Sequence, residues 1–282
     1  MDKQKFSRRD FVRQGFKSLT SLASDLGFGA SGQTGASAQS AVLSAMADYP
    51  GDGATLSAFI ARPEKPGTYP AIIVIHEIFG LVDHIKDVAT RFAREGYVAI
   101  APHLFSREEP IPNRTDLQAM RQLIQTIPDG RILSDLNATI QHLSVLHFVN
   151  ADRIGAIGFC MGGLYAFLLA AQTTRLRAIA DFYGRVVYPE RTPLKPEAPL
   201  DAVERVNCPV LGIFGDADPV IPVADVDRLR EGLQRHQKPF EIKVYPNAPH
   251  AFFNDTRESY RPDMAKDAWE RTLSFFWKYL RG

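Results

Sequence analysis

Ile154-Gly155-Ala156-Ile157-Gly158-Phe159-Cys160-Met161-Gly162-Gly163-Leu164-Tyr165-Ala166-Phe167-Leu168-Leu169-Ala170-Ala171 decides how this chain is read. An apolar run ends in a Gly-flanked turn and passes at once into a helix-like run. Strand, tight turn, helix is the context of a nucleophile elbow, and the usual pattern there is Gly-x-Ser-x-Gly. Here cysteine stands in the serine's place. The residue at the point of such a turn is held in a strained backbone conformation, so its neighbours two positions away must be small. Gly158 and Gly162 meet that need. A helix that begins at the turn directs the positive end of its dipole at the sulfur, which favours thiolate over thiol.

Further along the chain, apolar β-branched runs alternate with helix-period segments. Strands are predicted at 71–75, 98–101, 154–158, 178–182, 210–214 and 240–245, with a weaker one at 55–61. Helices are predicted at 83–95, 115–124, 133–146, 162–172, 223–236 and 262–279. Continuous apolar strands separated by helices make an α/β fold, a mainly parallel sheet covered on both faces. Ligands of such sheets bind beyond the carboxyl ends of the strands. The residues placed there are His76-Glu77-Ile78-Phe79-Gly80, His103 to Arg107, Cys160, Tyr183-Gly184-Arg185, Gly215 to Pro219 and Pro246 to Phe252. A thiol, acids and an imidazole converge on one edge.

The order Cys160, acid, His250 suits covalent catalysis. An imidazole can hold the thiol proton and later protonate a leaving group, and an acid on its other nitrogen fixes the tautomer. His250 stands out because it follows the last strand in a Pro/Asn loop. His84, His142, His147 and His236 read as surface or hydrogen-bonded core residues. Asp216 and Asp218 both follow the fifth strand, and the residues alone do not separate them. Two backbone N–H groups, of Met161 after the cysteine and Ile78 after the first strong strand, are the expected oxyanion donors. Glu77 faces partial burial beside Cys160, which lets a carboxyl share a proton with a thiol. A solvated loop acid, or an ion pair with Arg107, is the plainer reading of Glu77.

The 282 residues, 45% hydrophobic with a net charge of +1, fit one large domain plus a leader. The near-neutral balance offers no reason to expect nucleic acid or a membrane surface as partner. No apolar run reaches the ~20 residues of a membrane span. Ser7-Arg8-Arg9-Asp10-Phe11-Val12-Arg13 resembles the twin-arginine export motif. A weakly apolar stretch follows, then Ala36-Ser37-Ala38, an A-x-A cleavage pattern. The expected organisation is an export signal over 1–38, a lead-in over 39–54 and the catalytic domain over 55–282. The mature protein is expected to be periplasmic, with the cytoplasm as the alternative. Cys208 precedes its strand whereas Cys160 follows one, so about 17–20 Å of strand separates them and no disulfide is expected.

His76-Glu77-Ile78-Phe79-Gly80, Arg107, Gly158 to Gly163, Asp218 and His250-Ala251-Phe252 together resemble the dienelactone hydrolase family, the carboxymethylenebutenolidases. The resemblance runs from about residue 55 to the C-terminus and implies the α/β-hydrolase fold. It implies a Cys160, Asp218, His250 triad, with Glu77 interacting with the resting thiol and helping form the thiolate when substrate binds. It also implies two arginines for a substrate carboxylate. Arg107 matches the first; the second falls four residues after the histidine, where this chain has Asn254, leaving Arg257 or Arg185 to substitute. Tyr183-Gly184-Arg185 resembles a segment common in broader relatives, so Tyr183 and Arg185 join Arg107 as expected substrate-binding residues. The expected activity is cofactor-free and metal-free hydrolysis of a small ester or lactone bearing a carboxylate, by a monomer. The competing reading is a non-catalytic binding or sensor protein on a hydrolase fold.

Overall fold

Ala71 to Ile75 are five consecutive residues without solvent exposure, and they mark the centre of the sheet. A computed structural model describes residues 41–108 and 110–282. The expected export signal, its cleavage site and the localisation they imply lie outside the described residues. Strand β3 (Tyr69–Ile75) sends Ile73 and Ile75 into one core and Ile72 and Val74 into the other, the period-2 alternation of a strand buried on both faces.

Around it lie β1 (Val42–Pro50), β2 (Thr55–Pro63), β4 (Val98–Pro102), β5 (Val149–Phe159), β6 (Leu176–Phe182), β7 (Val210–Gly215) and β8 (Phe240–Tyr245). Their order in the sheet is β1-β2-β4-β3-β5-β6-β7-β8. Pairing is parallel from β4 through β8, while β1 and β2 add an antiparallel edge. The chain passes from β3 outward to β4 and then returns to β5 on the other side of β3. That reversal opens a crevice at the carboxyl ends of β3 and β5, where α/β sheets take their ligands.

Helices α1 (Asp83–Arg94) and, at the C-terminus, α7 (Pro262–Leu280) cover one face. Ile85, Val88, Ala89 and Phe92 form the buried stripe of α1 at helical spacing, and Asp83 and Arg91/Arg94 complement its dipole. The other face carries α3 (Asp129–Ser144), α4 (Met161–Gln172) and α6 (Val223–Arg235). Helices α2 (Leu117–Thr126) and α5 (Pro199–Ala202) complete the chain order. Among the described residues, no helix is long and apolar enough to cross a membrane.

Several boundaries differ from expectation, β5 beginning at Val149 rather than 154 among them, and two of the differences have a plain physical reason. The lead-in over 39–54 contains β1, a full partner of β2 from Val42↔Pro63 to Pro50↔Thr55. Its residues alternate between half-buried and exposed at the sheet's edge, so no continuous apolar run announces it. Helix α3 starts at Asp129, four residues before the predicted start at 133, because Pro128 is pre-set for the position before a first turn. Both cysteines are free, and burial pushes the Cys208 thiol up to about 12.

Candidate active site

Cys160 sits between β5 and α4 with φ 54° and ψ −115°, in the left-handed half of backbone space that a side chain rarely occupies. The glycines that flank it are required by close approach. A Cβ on Gly158 would stand 1.9 Å from the Gly162 carbonyl oxygen, and one on Gly162 would stand 2.2 Å from the Ile75 carbonyl oxygen. The N-terminus of α4 therefore begins directly beneath the sulfur.

His250 arrives in the loop after β8. Its Nδ1 donates to Asp218 Oδ2 at 2.7 Å, and Asp218 Oδ1 accepts from the Val220 and Ile221 backbone N–H groups. The second acid after β7, Asp216, instead accepts from the Asn247 N–H at 2.6 Å and shapes the turn. That separates the two acids the residues alone left open. Burial works against charge on His250. Its hydrogen bonds with Asp218 and the Cys160 sulfur, together with the negative charge on both, outweigh burial and push its pKa up to about 10. At neutral pH the imidazole holds its proton between the two.

The loop after β3 is fixed by His76, which is fully buried. The Leu104 N–H donates to Nε2, so Nδ1 carries the hydrogen and donates to the Glu77 carbonyl at 2.6 Å. Burial, aided by the nearby His103 and Arg114, drives the His76 pKa down to about 3. The neutral ring thus holds the backbone that carries Glu77 and Ile78.

Two expectations, for Glu77 and for Arg107, meet a different geometry. Glu77 is buried, but its Oε2 accepts from Asn254 Nδ2 at 2.9 Å and lies 4.0 Å from Arg257 Nε. Among the described residues no hydrogen bond joins it to Cys160; the amide and the guanidinium satisfy the carboxylate, and His250 is the group in range of the sulfur. Asn254 is itself 1% exposed and accepts from Thr256, so it braces Glu77 and faces no ligand. Arg107 does not line the cavity. It pairs with Asp135 on α3 and donates to the Asp52 carbonyl, tying the loop after β4 to α3 and to the β1–β2 turn.

A cavity of about 820 Å³ opens over the cysteine, within the size range of small-molecule sites. Glu77, Ile78, Cys160, Met161, Tyr183, Arg185 and His250 line it, as expected from their places after the strands. Tyr183 adopts φ 44°, packs edge-on against His250 with ring centroids 5.1 Å apart, and has a buried hydroxyl with no hydrogen-bond partner among the described residues. The cavity also takes in Arg257, offered above as a substitute for the second arginine, together with Arg121 of α2 and Lys195, which the residue pattern did not place there. Arg257 lies over the Phe79 ring, 4.1 Å from its centroid. Arg121 belongs to a predicted helix, but only packing shows which wall that helix forms. Lys195 comes from an irregular segment with no periodicity to read.

A parallel sheet whose crossover reversal delivers an elbow cysteine, an acid and an imidazole to one crevice defines the α/β-hydrolases, and this chain is one. Residues 56–280 match the family model described as "Dienelactone hydrolase family". The chain belongs to that family. It is 38% identical over 225 residues to a Methylorubrum extorquens protein named "Putative carboxymethylenebutenolidase", covering 79% of this chain and 77% of that one. It is 38% identical over 231 residues to a Bradyrhizobium protein named "Probable 2-oxo-3-(5-oxofuran-2-ylidene)propanoate lactonase", covering 82% and 92% respectively. The crystal structure of a "Putative Dienelactone Hydrolase" from Klebsiella pneumoniae superposes with a TM-score of 0.80 at 36% identity, covering 85% of this chain and 100% of that one.

Proposed function

We propose that this hydrolase opens lactones or carboxylic esters through a thioester on Cys160. The observation that carries the reading is His250, held by Asp218 on one nitrogen and facing the Cys160 sulfur with the other. The sulfur attacks the carbonyl carbon, and the backbone N–H groups of Ile78 and Met161 take the oxyanion. The tetrahedral intermediate collapses, and the leaving oxygen takes the proton from His250. His250 then removes a proton from water, which attacks the thioester, and the departing sulfur leaves the proton on His250. In a lactone the leaving oxygen stays tethered, so ring opening yields one product.

Arg121, Arg185 and Arg257 line the same cavity and favour a substrate bearing a carboxylate, which a guanidinium can hold in the plane of two hydrogen bonds. Glu77 anchors Arg257, and the unpartnered Tyr183 hydroxyl donates to a substrate oxygen. A lactone with a conjugated carboxylate, the kind of molecule named for the Bradyrhizobium relative, fits this combination of charge and reactive carbonyl.

The test is turnover of small enol-lactones and aryl esters by Cys160→Ala. Activity should fall to background, and undiminished turnover would overturn the proposal. Cys160→Ser should also lose most activity, because its hydroxyl does not ionise in this setting and His250 already carries a proton.

A further inference from the structure

Beyond the first turn of α4, the cavity wall carries a buried polar cluster. Lys195, 3% exposed, donates from Nζ to Asp129 Oδ1 at 2.8 Å and to the Tyr165 hydroxyl at 2.7 Å. Tyr165 in turn donates to Asp129 Oδ1 at 2.7 Å, and the Tyr188 hydroxyl donates to Asp129 Oδ2 at 3.0 Å. Tyr165, Tyr188 and Lys195 all line the cavity that holds Cys160.

The hydrogen-bond accounts of the two charged groups differ. Asp129 receives three donors, two on Oδ1 and one on Oδ2. An ammonium has three hydrogens, and among the described residues Lys195 Nζ has two hydrogen-bond partners. A buried ammonium hydrogen left unpaired is costly, so the third needs an oxygen from the cavity: water in the empty enzyme, a ligand atom in the complex. Burial and the nearby Asp129 carboxylate both raise the tyrosine pKa values, so the hydroxyls stay protonated. Burial lowers the Lys195 value, against the hydrogen bond and charge of Asp129 that favour the ammonium. One ammonium against one carboxylate leaves no net charge. Such a surface does not compete with Arg121, Arg185 and Arg257 for a carboxylate. It suits a neutral acceptor.

A purely architectural role explains less. The cluster does link α3, α4 and the segment after β6. Yet a buried ion pair stabilises a fold weakly against an apolar replacement of the same volume, and this one is spent on a cavity wall.

We infer that Lys195, set by Asp129, Tyr165 and Tyr188, is a specificity-determining subsite that binds an uncharged carbonyl or hydroxyl oxygen on the part of the substrate remote from the scissile bond. This rests on the hydrolase reading of the same cavity, and it extends the substrate class to esters or lactones with a second, neutral oxygen function on an extended arm. The volume of about 820 Å³ leaves room for such an arm.

The experiment compares 4-nitrophenyl esters of straight-chain keto acids, with the ketone at successive carbons, against the matched alkanoates. For one ketone position kcat/KM should exceed the alkanoate's by about tenfold, mainly through KM, the size expected of one hydrogen bond to a charged donor. In Lys195→Met the ratio should collapse to about one, since the variant removes that donor. Should the lone carboxylate prevent folding, the double variant Lys195→Met/Asp129→Asn removes both charges and reads the same ratio. Calorimetric binding of the free keto acids and alkanoates gives a second measurement that needs no turnover. Turnover without ketone preference, or a preference retained in Lys195→Met, overturns the subsite and leaves the hydrolase standing. Keto-acid preference lost in Lys195→Met but with no turnover of any ester upholds the subsite and overturns the hydrolase reading.

Discussion

Cys160 combines a strained backbone with an imidazole partner whose proton is unusually firmly held. The His250 pKa is raised from its ordinary 6.5 to about 10. A raised folded-state value means that the protonated form, and the stability it contributes, is complete below the unfolded pKa and is lost as pH rises through about 10. The activity of the native enzyme should therefore show an alkaline limb near pH 10. In Asp218→Asn the amide no longer supports the imidazolium. That limb should move toward neutrality, with kcat/KM falling by about 10²–10⁴-fold. A pH profile of both proteins checks this. A limb that stays near its original position would show that Asp218 does not set the His250 proton.

Among elements, β6 carries a fully buried carboxyl, that of Asp181. Asp181 is fully buried behind the elbow, with Oδ1 accepting from the Gly184 N–H at 2.8 Å and Oδ2 without a hydrogen-bond partner among the described residues. Burial lifts its pKa from 3.8 to about 7, against the pull of the Gly184 N–H. The folded state thus binds a proton that the unfolded state has released. Between these two values stability declines as pH rises, by on the order of 4 kcal/mol from this group. Asp181→Asn should flatten that decline, which urea unfolding at pH 5 and pH 8 would reveal; an unchanged slope in the variant would refute the assignment. The edge strand β1 is fastened differently. Thr139 Oγ1 donates to the Asp135 carbonyl, so the Tyr49 hydroxyl, 2.8 Å away, donates to Thr139. Tyr49 also stacks on His142 with centroids 4.6 Å apart. Tyr49→Phe keeps the stacking and should cost about 1 kcal/mol in chemical denaturation.

For the whole molecule, a net charge of +1 creates little long-range field, so any attraction for an anionic substrate is local to the cavity cations. Raising salt from about 20 to about 500 mM should lower kcat/KM for a carboxylate-bearing ester while leaving a neutral ester of the same shape little changed. Arg121→Gln should raise KM for the anionic ester by about tenfold and shrink its salt dependence. Equal salt effects on both esters in steady-state kinetics would show that the arginines do not read the carboxylate.

The local grammar of the chain was enough for the parallel sheet, the helices around it and the elbow, because buried strands, helix stripes and Gly-flanked turns each leave a short-range periodic mark. It also placed Cys160, His250 and the acids after the correct strands, since ligand sites of such sheets follow from strand direction. What it could not decide was which side chain meets which across the sheet edge. Asp218 and Asp216 differ only in where a turn points them, and only the fold brings one to His250 and the other to the Asn247 backbone. Arg107, in the right loop, is captured by Asp135, while Asn254 holds Glu77 that the resemblance had paired with the thiol. Lys195 carries no sequence mark at all and reaches the cavity only because α3, α4 and the segment after β6 converge. Chemistry confined to one turn is encoded in neighbouring residues; partnership between distant loops is a property of packing, and it was decided there.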